Sequence, residues 1–178
     1  MKRFDQSFKQ LLGKPCWGVK RGWGSFLTIE FGQPHLEISE PRGTASTSKK
    51  VQAAAARRLA YVRGDWHLWV YCCQWGVFNG SGKLIGDTSS KRSIDRAAAF
   101  LNGQALVAGV LIPRGMRTVL EFDLGARLEM KPYNRTAEQW MLYEPNGKVL
   151  TVRADKRYSY GSKDHAPERM QWLPIQAP

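Results

Sequence analysis

The sequence predicts a mainly β, β-rich α+β fold in which pseudo-twofold repeated antiparallel hairpin units form a sandwich or partly open barrel with one or two short helices. Three observations lead there. Two stretches about ninety residues apart align as copies of one hairpin, Phe26–Ile38 and Val119–Met130. Superposed on Gly32 and Gly125, they match apolar residues at Leu27/Leu120, Ile29/Phe122, Phe31/Leu124, Leu36/Leu128 and Ile38/Met130, and acids at Glu30/Asp123 and Glu37/Glu129. Period-two alternation recurs along the chain, and Gly-, Asn- and Pro-rich turns punctuate it every few residues. At 178 residues, 43% of them hydrophobic, the chain fits one domain over 1–178 with a sizeable core.

The elements follow in order. Phe4, Phe8, Leu11 and Leu12 have helical spacing and end at Gly13, so the chain opens on a short amphipathic helix. A loop rich in Gly, Trp and basic residues, Lys14–Gly24, leads into the first hairpin, Ser25–Phe31 and His35–Glu40, turning at Gly32-Gln-Pro34. Its inward face is expected to be Leu27, Ile29, Phe31, Leu36 and Ile38. Pro41–Lys50 has the composition of a mobile loop, with no large apolar anchor.

Val51–Arg58 reads two ways, because four alanines favour helix while Leu59–Val62 before Gly64-Asp65 looks like a strand entering a hairpin; a strand from about Arg57 is expected. Trp66–Trp75, dense in aromatic residues, reads as one central strand buried on both faces. After the Asn79–Gly82 turn, Ser90 caps a helix over 90–102 whose apolar positions are Ile94, Ala97, Ala98 and Leu101. The second β unit, 104–154, holds a strand at Gln104–Ile112, the second hairpin copy, and a hairpin of Gln139–Tyr143 with Lys148–Arg153 across Pro145-Asn-Gly147. Residues 158–178 lose periodicity and form an irregular tail that Trp172, Leu173 and Ile175 can dock. The total is about nine or ten short strands.

Composition limits function. Twenty-seven Lys and Arg against fifteen Asp and Glu give a net charge of +12, and Met1–Gly64 carries +8 of it (12 basic, 4 acidic). Such a surface attracts polyanions, although charge far from zero also serves plain solubility. No apolar run reaches the roughly 20 residues of a membrane span, the N-terminus lacks an apolar signal core, and three cysteines with no C-x-x-C suit a reducing compartment, so a cytoplasmic protein without membrane contact is expected.

Catalytic constellations are weak. Cys16, near Lys14, Lys20 and Arg21, could be a thiolate served by His35 and by Glu30 or Glu37; a small buried thiol is the plainer reading. Glu121 and Asp123 share one strand face, but Arg117, Arg127 and Lys131 favour cross-strand ion pairing there. His35, His67 and His165 lack metal-ligand spacing. The expectation is a non-catalytic binding protein with no metal and no cofactor.

Two segments could bind. Lys14, Trp17, Lys20, Arg21 and Trp23 interleave cations and indoles on a Gly-rich loop, the mixture on which bases stack while amines neutralise phosphates. The same Trp residues could instead plug one end of a sheet. Lys49-Lys50, Arg57-Arg58 and Arg63 flank an apolar stretch, while Lys91, Arg92 and Arg96 load the start of the middle helix, where cations oppose its macrodipole. Nucleic acid is the expected partner. The alternative is an acidic protein, neutralised by an inhibitor or immunity-type chain, since seven Trp and six Tyr also suit protein interfaces.

Overall fold

Two antiparallel sheets pack face to face in a computed structural model that describes residues 2–165 and 169–176. The elements are α1 (Lys2–Lys9), β1 (Cys16–Arg21), β2 (Leu27–Ser39), α2 (Lys49–Ala55), β3 (Leu59–Val70), β4 (Cys73–Asn79), β5 (Gly82–Gly86), α3 (Lys91–Leu101), β6 (Leu106–Ile112), β7 (Arg117–Phe122), β8 (Arg127–Pro132), β9 (Glu138–Tyr143), β10 (Lys148–Arg153), β11 (Arg157–Ser162) and β12 (Leu173–Pro174). The larger sheet runs β1-β2-β3-β9-β10-β11-β12 and the smaller β5-β4-β8-β7-β6. The β-rich, two-sheet class expected from the sequence is the one observed, with three short helices among the described residues in place of one or two.

The core lies between the sheets because alternation puts every second residue inward. Leu27, Ile29 and Phe31 of β2, Leu68 and Val70 of β3, and Trp140 and Leu142 of β9 face Trp75, Val77, Leu120, Leu128 and Met130 of the small sheet, all of them buried. The Trp140 indole N–H donates to Thr118 Oγ1 across the gap at 2.9 Å. Helix α1 closes one end, with Phe4 and Phe8 against the Trp140 ring at 5.9 and 5.7 Å. Its Arg3 and Ser7 donate to the buried Glu144 carboxylate, as does Tyr160. Helix α3, capped as expected by Ser90 accepting from the Ser93 N–H, buries Ile94, Ala97, Ala98 and Leu101.

Three local expectations change. The second repeat copy is a hairpin, β7–β8, turning at Gly125 (φ +87°), but the first is a single bulged strand. Gly32, at φ +78°, lies where Gly32 and Gln33 together oppose Asp65, and the Gln33 N–H donates to Asp65 Oδ2 at 2.8 Å. A glycine in the left-handed region followed by this two-against-one pairing is a bulge, which bends a ladder without ending it. The expected turn at Gly64-Asp65 is the other side of that bulge, so β3 begins at Leu59 and runs straight through to Val70.

Beyond the bulge, residues 34–39 pair with 59–64 alone, forming a two-stranded arm. Leu36 (64% exposed) and Ile38 therefore face solvent and do not join the inward face. The alanines of 51–56 go to helix, as α2, for which alanine has the highest propensity. Trp66–Trp75, in turn, is not one strand. The chain breaks at Tyr71-Cys72 and passes from the large sheet into the small one, so β3 and β4 belong to different layers.

The hairpin across Pro145-Asn-Gly147 is present as β9–β10. The tail holds two strands, β11 and β12, with Ile175 packed on the core and Trp172 under the Arg153 guanidinium at 4.4 Å. Residues 166–168 and 177–178 of that expected tail lie outside the described residues. No helix among the described residues is long and apolar enough to cross a membrane.

Candidate nucleic-acid interface

The loop between β1 and β2 joins most of the expected binding residues. Lys20 and Arg21 end β1, an edge strand of the large sheet, and Trp23 stands at the loop tip with 78% of its surface exposed. Contacts spread from this loop in two directions. Arg21 Nε meets Asp95 Oδ1 of α3 at 3.3 Å, which brings Arg92 and Arg96, within one turn of Asp95, and exposed Lys91 to the same end of the molecule. On the other side, Lys50 Nζ of α2 lies 5.7 Å from the Trp23 ring centre.

The remaining expected residues divide. Lys14 is half-buried at the start of the loop before β1. Trp17 is half-buried on the outer face of the large sheet, where its indole N–H donates to Gly32 O at 2.9 Å. Arg57 is exposed just after α2, and exposed Arg58 pairs with Glu40 at 2.9 Å. Both lie at the far end of α2 from Lys50. Lys50 of the second basic segment is thus brought to Trp23, whereas residue type and spacing do not single out Phe26, Trp69 and Tyr71, whose ring centres lie 4.7 to 6.2 Å apart. The Phe26 N–H donates to Trp23 O, closing the backbone of the loop tip.

Register makes the outer face of the large sheet a surface of two rows. One runs Lys20, Thr28, Trp69, Met141, Thr151, Ser159. The other runs Trp17, Glu30, His67, Tyr143, Val149, Gly161. Glu30 is only 1% exposed although it points away from the sandwich core. Burial alone would raise its pKa, but hydrogen bonds from His67 Nδ1 (2.9 Å), the Gly64 N–H (3.1 Å) and Arg63 (3.1 Å), with the imidazole's charge, hold the carboxyl below the usual glutamate range. An ionised carboxylate only accepts, so Nδ1 carries the proton.

The catalytic candidates do not assemble. Cys16 points into the core, fully buried, and donates to Leu101 O at 3.0 Å. Burial pushes its thiol up to about 11, which leaves it protonated at neutral pH. Its cross-strand partner is Phe31, so it lies on the opposite face of the sheet from Glu30, and His35 is exposed on the arm. Glu30 is served by His67, and no hydroxyl or thiol among the described residues bonds the other nitrogen of that ring. Arg117 and Arg127 reach Glu129, while Asp123 accepts from the Ala105 N–H, so Glu121 and Asp123 do not act as a pair. Among the described residues no group of three or more His, Cys, Asp or Glu side chains is placed to hold a metal ion.

The chain matches no protein-family model, no curated protein and no solved structure, so the geometry is the whole basis for a functional reading.

Proposed function

We propose that this chain is a non-catalytic, cytoplasmic binding protein that contacts single-stranded nucleic acid through the surface formed by Lys20, Arg21, Trp23, Lys50, Lys91, Arg92 and Arg96. The observation that carries the reading is Trp23: an indole 78% exposed, with a lysine over one side and arginine-bearing strand and helix beside it. A lone exposed aromatic is ordinary on a protein surface; what sets Trp23 apart is the cations gathered around it. An indole among cations offers a stacking platform for any base while amines track the phosphates, which gives affinity without sequence readout. Lys91 and Arg92 at the positive end of α3 fit an anionic partner better than they fit helix stability.

The test is fluorescence anisotropy of a labelled oligothymidylate against ionic strength. Binding that weakens steeply with log salt, and that Trp23→Ala weakens by roughly 1 to 3 kcal/mol, supports the reading. Absence of binding at about 100 mM salt overturns it.

A second reading, an inhibitor or immunity-type protein that masks an acidic partner, rests on the arm. Leu36, Ile38 and Val62 are exposed there, with Arg57, Arg58 and Arg42 nearby, an apolar patch with a basic border. A stoichiometric complex recovered by pull-down from the native host, and lost in Leu36→Asp, would favour it over nucleic acid.

A further inference from the structure

The outer face of the large sheet carries a second feature, independent of Trp23. Residues 163–165 and 169–171 lie over strands β9, β10 and β11, and a cavity of about 440 Å³ separates them from the sheet. That size falls within the roughly 300 to 1,000 Å³ of small-molecule sites.

The floor is built by register. Trp69, Met141 and Tyr143 present flat or adaptable apolar surface on adjacent strands, and Thr151 and Ser159 continue the Trp69 row. The Thr151 hydroxyl is fully buried at the cavity wall and has no hydrogen-bond partner among the described residues. Buried polar groups are ordinarily satisfied, so an unpartnered hydroxyl at a cavity wall marks a place prepared for polar company. Burial pushes the Tyr143 phenol up, so it remains a neutral donor at the cavity edge. From the covering side come Arg169 and Lys163, whose Nζ also lies 3.8 Å from Glu37 Oε1 of the arm, against one lining acid among the described residues, Glu138.

We infer that this cavity binds a small planar anion: an aromatic or heteroaromatic ring lying on Trp69 and Met141, bearing a carboxylate or phosphate held by Lys163 and Arg169. The aromatic floor selects a ring because a π face packs on indole at little entropic cost. The cationic side selects the charge, and a guanidinium matches carboxylate and phosphate oxygens equally well in two-point contact. Thr151 and Ser159 supply the hydroxyls that orient a ring heteroatom.

Isothermal titration calorimetry of the full chain with two probes, adenosine 5′-monophosphate and indole-3-acetate, tests the inference and separates phosphate from carboxylate. One probe or both should give a saturable one-to-one isotherm. Arg169→Ala should raise its Kd about tenfold or more. Thr151→Val, nearly isosteric, should raise it several-fold while melting no lower than the parent, because it removes an unpartnered hydroxyl. Ser159→Ala serves the same purpose if Thr151→Val does not fold. Trp23→Ala should bind the probe as the parent does, so failure of the nucleic-acid reading leaves this result intact. Absence of saturation by both probes, or a Kd unchanged in both Arg169→Ala and the hydroxyl variant, overturns the inference.

Discussion

Glu30 and His67 face each other across the β2–β3 ladder with Oε1 and Nδ1 2.9 Å apart, on the side of the sheet remote from the sandwich core. The carboxylate is nonetheless buried, beneath Trp17 and Gly18 of β1, and Arg63 and the Gly64 N–H complete its partners. Its pKa is lower in the folded than in the unfolded chain. The stability it contributes is therefore fully present above the unfolded value of about 4.3 and is lost as pH falls through the lower folded value. Glu30→Gln should cost about 2 to 3 kcal/mol at pH 7 and flatten the loss of stability below pH ~4. Urea melts of both proteins between neutral pH and the acid limb read both effects.

Gly64 meets a different constraint. A Cβ there would stand 2.4 Å from Phe31 O and 2.9 Å from Phe31 N, which are backbone atoms with no freedom to rotate away. Gly64→Ala should force the bulge open at a cost of about 2 to 3 kcal/mol. Gly43→Ala, where a Cβ meets nothing within 4 Å, should be close to neutral, and thermal melts of the two compare them directly.

The three thiols should separate by reactivity. Cys16 and Cys73 are buried and burial pushes both pKa values up, whereas Cys72 is half-buried at the crossing between sheets. In native protein at pH 8 a disulfide reagent should titrate one cysteine, mapped to Cys72 by peptide mass. Denaturant should release all three.

Charge on the basic surface should appear in the salt slope and as an affinity loss that is greatest at low salt. Each phosphate of a single strand that the protein no longer neutralises lowers the slope by about 0.7, so Lys50→Ala with Arg92→Ala should reduce it by about 1.4. Lys131→Ala, exposed on the small sheet, should leave it unchanged, and anisotropy titrations across a salt series measure all three slopes.

Sequence reasoning succeeds where structure is decided by neighbours. The β9–β10 hairpin is legible because Pro145-Asn-Gly147 joins strands that pair with each other, and α3 because Ser90 and four apolar residues share one helix. It fails at Gly32 because a left-handed glycine is spelled the same way in a bulge as in the turn at Gly125. What decides between them is Asp65, far along the chain, already occupying the other side. The same limit applies to function. Residue types mark Arg21, Trp23 and Arg92, but Lys50 reaches Trp23, and Asp95 ties Arg21 to α3, only through long-range packing. The cavity floor is not legible at all, since it depends on the register of four strands.

The bulge at Gly32 also divides the protein energetically. On one side every strand of the ribbon is flanked by a further neighbour; on the other, residues 34–39 and 59–64 hold only each other, and a lone two-stranded ribbon is marginal in water. Amide protons of Leu36 and Val62 should therefore exchange through small local openings, orders of magnitude sooner than those of Ile29 and Leu68, which wait for global unfolding. A partner that seats on the tip would slow the first pair without touching the second, giving a hydrogen-exchange readout of engagement that needs no label.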